Sequence, residues 1–129
     1  MSQSQIDAYT SIQKEHMNSR DLEASVLTRA AAILKQVQEN WDAPDRDQKL
    51  MEAIGFNQKV WSFFQAELSA PENPLPTNIK QDILNLSLFI DKRLIEMLAA
   101  PDAAKLSIVI DINSNLAAGL RTAPADAAA

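Results

Sequence analysis

Between Leu50 and Leu68 the chain places Leu50, Ile54, Asn57, Trp61, Phe64 and Leu68 in alternating steps of four and three residues. That period keeps one side of an α-helix continuously apolar, and a strand cannot reproduce it. The same stepping recurs in Leu22, Val26, Ala30, Ile33 and Val37, and again in Ile79, Ile83, Leu86, Ile90, Leu94 and Met97 or Leu98. Leu84, Leu88 and Ile95 widen that last face, which predicts contact on two sides. The run Ser107 to Ile112 is β-branched and partly alternating, yet the longer window of Leu106, Val109, Asn113, Leu116 and Leu120 again has helical spacing.

Composition agrees with the period. The chain holds 20 Ala, 14 Leu and 11 Ile against 4 Val, 4 Thr and 2 Gly, so its apolar content lies in good helix formers and its strand formers are scarce. The expected fold is all-α: a small single-domain antiparallel helical bundle of four to five helices. At 129 residues the chain is long enough for one core.

Boundaries follow from proline and polar punctuation: a break near Asn18-Ser19, then Asp42-Ala43-Pro44, Ala70 to Thr77, and Pro101-Asp102. Ser19 is the expected N-cap of the second segment, with Asp21 and Glu23 in its first turn. Gly119 supplies a stop signal near the end of the fifth segment. Residues 1–121 form the expected domain. The tail from Thr122 to Ala129 has no large apolar anchor and is expected to be disordered.

The residues available for chemistry are few. With no Cys and one His, His16, disulfides, thiolate metal sites and multi-histidine sites are excluded. Asp42, Asp45 and Asp47 lack the central Gly and terminal Glu of a calcium loop, and no phosphate-cradling glycine loop or nucleophile elbow is present. The expectation is therefore a non-enzymatic protein with no cofactor and no metal. The opening residues lack a signal-peptide core, and the longest apolar run, Ala30 to Leu34, is five residues, so a cytoplasmic protein without membrane insertion is expected. The net charge of −5 is spread along the chain with no basic segment, which makes direct nucleic-acid binding a poor fit.

Seven residues stand out as candidates for partner binding. Ile6, Tyr9 and Ile12 give the first segment a short amphipathic stripe that could be packed, frayed or held for a partner. Asn57 and Asn113 occupy stripe positions where an apolar residue belongs, either as satisfied core amides that fix helix register or as partner contacts. Trp61 and Phe64, with Phe63 beside them, either pack the core or sit partly exposed in a partner groove.

Taken in order, Ser19-Arg20-Asp21-Leu22-Glu23, Ala53-Ile54-Gly55-Phe56-Asn57-Gln58-Lys59-Val60-Trp61, Asn73-Pro74-Leu75-Pro76, Asn85-Leu86-Ser87-Leu88-Phe89-Ile90, Ile110-Asp111-Ile112-Asn113 and Ala118-Gly119-Leu120 resemble the flagellar biosynthesis regulator FlaF of alphaproteobacteria. The likeness covers about Ile6 to Arg121. It departs from the family pattern at Val60, where Leu is usual, and at Asp111, where Glu is usual. The resemblance implies a cytoplasmic, non-enzymatic factor that promotes flagellin synthesis and secretion, with flagellin as its partner and a flagellin translational regulator in opposition. A chaperone or adaptor that shields flagellin's helical ends is the expected function. The alternative is a post-transcriptional regulator acting on flagellin mRNA or on its translational repressor.

Overall fold

Four of the segments form helices in the computed structural model, which describes residues 19–122. They are α1 (Ser19–Glu39), α2 (Arg46–Ser69), α3 (Thr77–Ala99) and α4 (Leu106–Thr122), the last preceded by a 3-10 turn over Ala103–Lys105. Ile6, Tyr9 and Ile12 lie outside the described residues, as does the tail beyond Thr122. Helices of this length joined by short connections fold back on one another as a bundle. The antiparallel order shows in side-chain contacts: Gln38, near the end of α1, donates to Ala103 O at 2.8 Å and to Ser107 Oγ at 2.9 Å at the start of α4.

Each corner has a local cause. After α1, Ala43 N donates to Asn40 O and Arg46 N to Ala43 O, both at 3.0 Å, while the Arg46 guanidinium stacks 4.3 Å from the centre of the Trp41 ring. After α2, Asn73 Nδ2 donates to Glu67 O and its Oδ1 accepts from Leu75 N, closing a turn of the kind Asn favours. Pro76 then precedes the first residue of α3, Thr77. Ala100, ahead of Pro101, leaves the helical backbone region at φ −144° and ψ 82° and ends α3. Asp102 Oδ1 accepts from Ala104 N at 3.0 Å and starts the 3-10 turn that leads into α4.

The core draws on every helix: Leu27 and Leu34 from α1, Ile54 and Trp61 from α2, Ile90, Leu94 and Met97 from α3, Leu106 and Val109 from α4. The α1–α4 pair is the closest in the bundle. Ala24, Ala30 and Ala31 on one side and Ala117 on the other are buried and small, which lets these helices approach each other.

Three expectations are corrected here. On α1 the buried face runs through Ala24, Leu27, Ala30, Ala31, Leu34 and Val37, which keeps Ala30 and Val37 of the expected stripe but leaves Leu22, at its head, 58% exposed. Alanine carries little weight in a hydrophobic pattern but decides which face packs when helices are close. On α3 the wide apolar face meets its neighbours unequally: among the described residues α3 packs along α2 and touches α4 over a short length only. Gly119 does not stop α4, which continues through it to Thr122, and its backbone is ordinary helix.

Gly55 lies inside α2 with no atom within 4 Å of the position its Cβ would take. Gly55→Ala is therefore expected to stabilise the protein by about 0.5–1 kcal/mol in denaturant unfolding, by restricting the unfolded chain. Trp61, fully buried, is expected to give blue-shifted emission in a Trp41→Phe variant, and Trp61→Ala to cost about 3–5 kcal/mol.

Candidate functional site

The two asparagines that interrupt the apolar stripes are both fully buried, and they meet. Trp61 Nε1 donates to Asn113 Oδ1 at 2.9 Å, and Asn113 Nδ2 donates to Asn57 Oδ1 at 2.7 Å. Asn57 Nδ2 then donates to Ala30 O at 3.1 Å and to Ala53 O at 2.9 Å. This relay joins α2, α4 and α1 through the centre of the bundle. Among the described residues no buried side-chain nitrogen or oxygen lacks a partner, so the desolvation cost of the amides is met by bonds made in a low-dielectric interior.

The relay settles where four of the seven singled-out residues stand. Asn57, Trp61 and Asn113 are fully buried and Phe64 is 8% exposed, its ring tilted 57° to that of Trp61 with ring centres 6.0 Å apart. They pack in the interior, and of the four Phe64 also borders an apolar cleft at the surface. Their neighbour Phe63 faces outward instead.

Two apolar surfaces remain on the outside. Along α3, Leu84, Leu88, Asp91, Ile95 and Leu98 follow one another in steps of four, three, four and three, a seam that winds beside the core face. Leu88 is 65% exposed, Ile95 59% and Leu98 48%. Isolated exposed apolar residues are ordinary, but a row at this spacing has the form of an unpartnered helix-pairing surface. Asp91 interrupts the row and is held by α2: Gln65 Nε2 donates to Asp91 Oδ2 at 2.9 Å and to Ser87 Oγ at 3.0 Å. Ser87 Oγ in turn donates to Leu84 O at 2.7 Å. The seam is thereby fixed against the bundle at its middle.

The second surface is a cleft of about 450 Å³ between the start of α1 and the second half of α2, lined by Leu22, Val26, Val60, Phe63 and Phe64. Glu23 and Glu67 mark its acidic edge, with Lys59 also on the lining. Burial raises the Glu23 carboxyl above its ordinary range, the Glu67 carboxylate adds to the rise and Arg20 offsets part of it. Another cleft, of about 500 Å³, lies between the end of α1 and the start of α2 and is lined by charges of both signs. Its cations are already engaged: Arg29 stacks on Phe56, Arg46 pairs with Asp47 at 2.8 Å, and Lys49 reaches Glu52 at 3.8 Å.

Among the described residues no three His, Cys, Asp or Glu side chains converge as a metal site, and no helix is long and apolar enough to cross a membrane. What the arrangement offers is apolar surface for another helix. The seam was within reach of sequence reading, since Leu84, Leu88 and Ile95 stood out as widening a face. The sequence left the last position of the core stripe open between Met97 and Leu98, and the structure gives it to Met97.

A family model described as "Flagellar protein FlaF" matches residues 5–120 of the chain. Comparison with curated proteins and with solved structures gave no match.

Asn113→Leu leaves the Trp61 indole N–H and the Asn57 carbonyl oxygen without partners, at roughly 1–3 kcal/mol each. Unfolding should therefore report a loss of about 2–6 kcal/mol, and Trp61→Phe made on top of it should cost less than Trp61→Phe alone. Because the Glu23 carboxyl is raised in the folded state, its ionised form is disfavoured there, so that penalty is present at neutral pH and fades as the pH falls through the folded value. Glu23→Gln should raise the melting temperature at pH 7, and the difference from the parent should disappear toward pH 4.5, the ordinary value for the group.

Proposed function

The chain belongs to the FlaF family of flagellar proteins, and on that premise we propose that it is a non-catalytic, cytoplasmic flagellar biosynthesis factor that binds flagellin as a chaperone or adaptor. The observation that carries the proposal is the apolar seam of α3. Flagellin's terminal segments are helical in the filament, and a helix with its own apolar stripe can lie along Leu84, Leu88, Ile95 and Leu98 by interdigitation. Covering the seam would keep aggregation-prone apolar surface on both proteins out of water until export. No ligand or cofactor is required for such a contact.

The seam supports a partner-binding role better than Asn57, Trp61 and Asn113, which are committed to the interior, while Ile6, Tyr9 and Ile12 lie outside the described residues. An acidic chain with its strongest aromatic cluster in the core gives little support to direct action on flagellin mRNA, where exposed aromatics beside basic residues would be needed. An effect on flagellin synthesis then runs through protein partners, including the opposing translational regulator.

Calorimetry with purified flagellin tests this reading. Binding should be direct, should weaken little between low and high salt, and should survive nuclease treatment. Leu88→Glu with Ile95→Glu should weaken it at least about tenfold, since each buried apolar side chain contributes roughly 1.5–3 kcal/mol, while leaving the unfolding midpoint close to the parent. Full-length protein that binds the message but no flagellin from its own cell would overturn the chaperone reading.

A further inference from the structure

The apolar row of α3 is broken at its middle by a carboxylate. Asp91 lies between Leu88 and Ile95 in the same stepping, and Gln65 Nε2 of α2 donates to its Oδ2 at 2.9 Å, which fixes the side chain beside the row. We propose that Asp91 is the specificity-determining residue of this surface: it admits a partner helix whose apolar stripe carries a Lys or Arg at its middle, and it turns away a second copy of this chain. The proposal rests on the reading of α3 as a helix-pairing seam.

Charge complementarity carries the assignment. Among the described residues no cation lies within ion-pair distance of Asp91: Arg93, two residues on, reaches Glu96 at 3.8 Å instead and lies over the Phe89 ring at 5.4 Å. The Gln65 amide also donates to Ser87 Oγ, at 3.0 Å, and brings no charge. While the seam is open, solvent compensates the carboxylate. A helix laid over Leu88 and Ile95 removes that solvent, and a covered carboxylate is costly unless a cation takes the place of the water. A Lys or Arg at the middle of the incoming stripe supplies one, through a charge-assisted hydrogen bond to the oxygen that Gln65 leaves open. A helix with an uninterrupted apolar stripe has no such group, and neither has a second copy of α3. In parallel pairing over the whole seam Asp91 meets its own counterpart, and the like charges oppose the contact. In antiparallel pairing it lies against Leu88 or Ile95 of the other copy, with no counter-charge. A single polar position in an apolar seam selects partner and register in coiled coils by the same means.

Two synthetic helices that share an apolar stripe and differ only at its middle, Lys in one and Leu in the other, test the assignment in calorimetry with the full-length chain. The parent should bind the Lys peptide at least about tenfold more tightly than the Leu peptide. Asp91→Asn, which keeps an acceptor for Gln65, should lose that preference, and Asp91→Leu should reverse it. In sedimentation equilibrium without any partner, Asp91→Leu should self-associate at least about tenfold more tightly than the parent, and Ile95→Glu added to it should undo the gain. Equal binding of the two peptides by the parent, binding of neither, a preference that survives both substitutions, or unchanged self-association in Asp91→Leu would each overturn the proposal. Flagellin separates this claim from the identity of the partner. Equal binding of flagellin by the parent and Asp91→Leu would remove the role of Asp91 and leave the flagellin contact standing. A preference for the Lys peptide without flagellin binding would remove flagellin and leave the role of Asp91.

Discussion

The hydrogen-bonded relay from Trp61 through Asn113 and Asn57 to the backbone of α1 and α2 is the interaction on which the rest of the structure depends. Apolar packing alone specifies register less sharply, since Leu and Ile of similar volume exchange at a cost below about 1.5 kcal/mol. Two amides and an indole meeting in the interior permit one register only, because any slip leaves several buried groups unpaired at once. The small residues Ala24, Ala31 and Ala117 fit the same arrangement: α1 and α4 must be close, and bulky residues there would separate them.

With α1, α2 and α4 locked from inside, α3 is the least enclosed helix. It contributes Ile90, Leu94 and Met97 to the core and is anchored to α2 through Gln65, Ser87 and Asp91, yet it keeps Leu88, Ile95 and Leu98 outside. Packing of a wide apolar helix on one side only is costly in water unless the other side has a use. The proposed flagellin contact supplies one, and the rigid frame behind it holds the seam in the shape a partner helix meets. A preorganised surface of this kind spends little binding energy on its own ordering.

Much of the architecture was legible in the sequence because it rests on period. Steps of three and four located all four described helices, and the same periodicity resolved the β-branched run Ser107–Ile112 as helix. Asn57 and Asn113 announced themselves by breaking the stripes, and the structure joins them to each other. Less legible were features that depend on distance between elements. The packed face of α1 shares Ala30 and Val37 with the expected stripe but shifts onto Ala24 and Ala31, because alanine at a close contact looks neutral in a pattern. The outward face of α3 was expected to find a second neighbour because no pattern reveals how far α4 stands from it. Of the residues singled out for a partner, Asn57, Trp61 and Asn113 serve the interior, whereas the exposed seam consists of leucine and isoleucine that resemble core. Family resemblance was legible over the same stretches, Ala53 to Trp61 and Ile110 to Asn113, that supply the relay.

The claim that a closed core supports an open seam is tested most directly by one nuclear magnetic resonance titration with flagellin. The account predicts that the methyls of Leu84, Leu88, Ile95 and Leu98 shift while the Trp61 indole N–H keeps its resonance and its slow exchange with solvent. A Trp61 indole that shifts and becomes exchangeable on binding, with the α3 methyls unmoved, would show that the partner opens the bundle and that the seam is not the site.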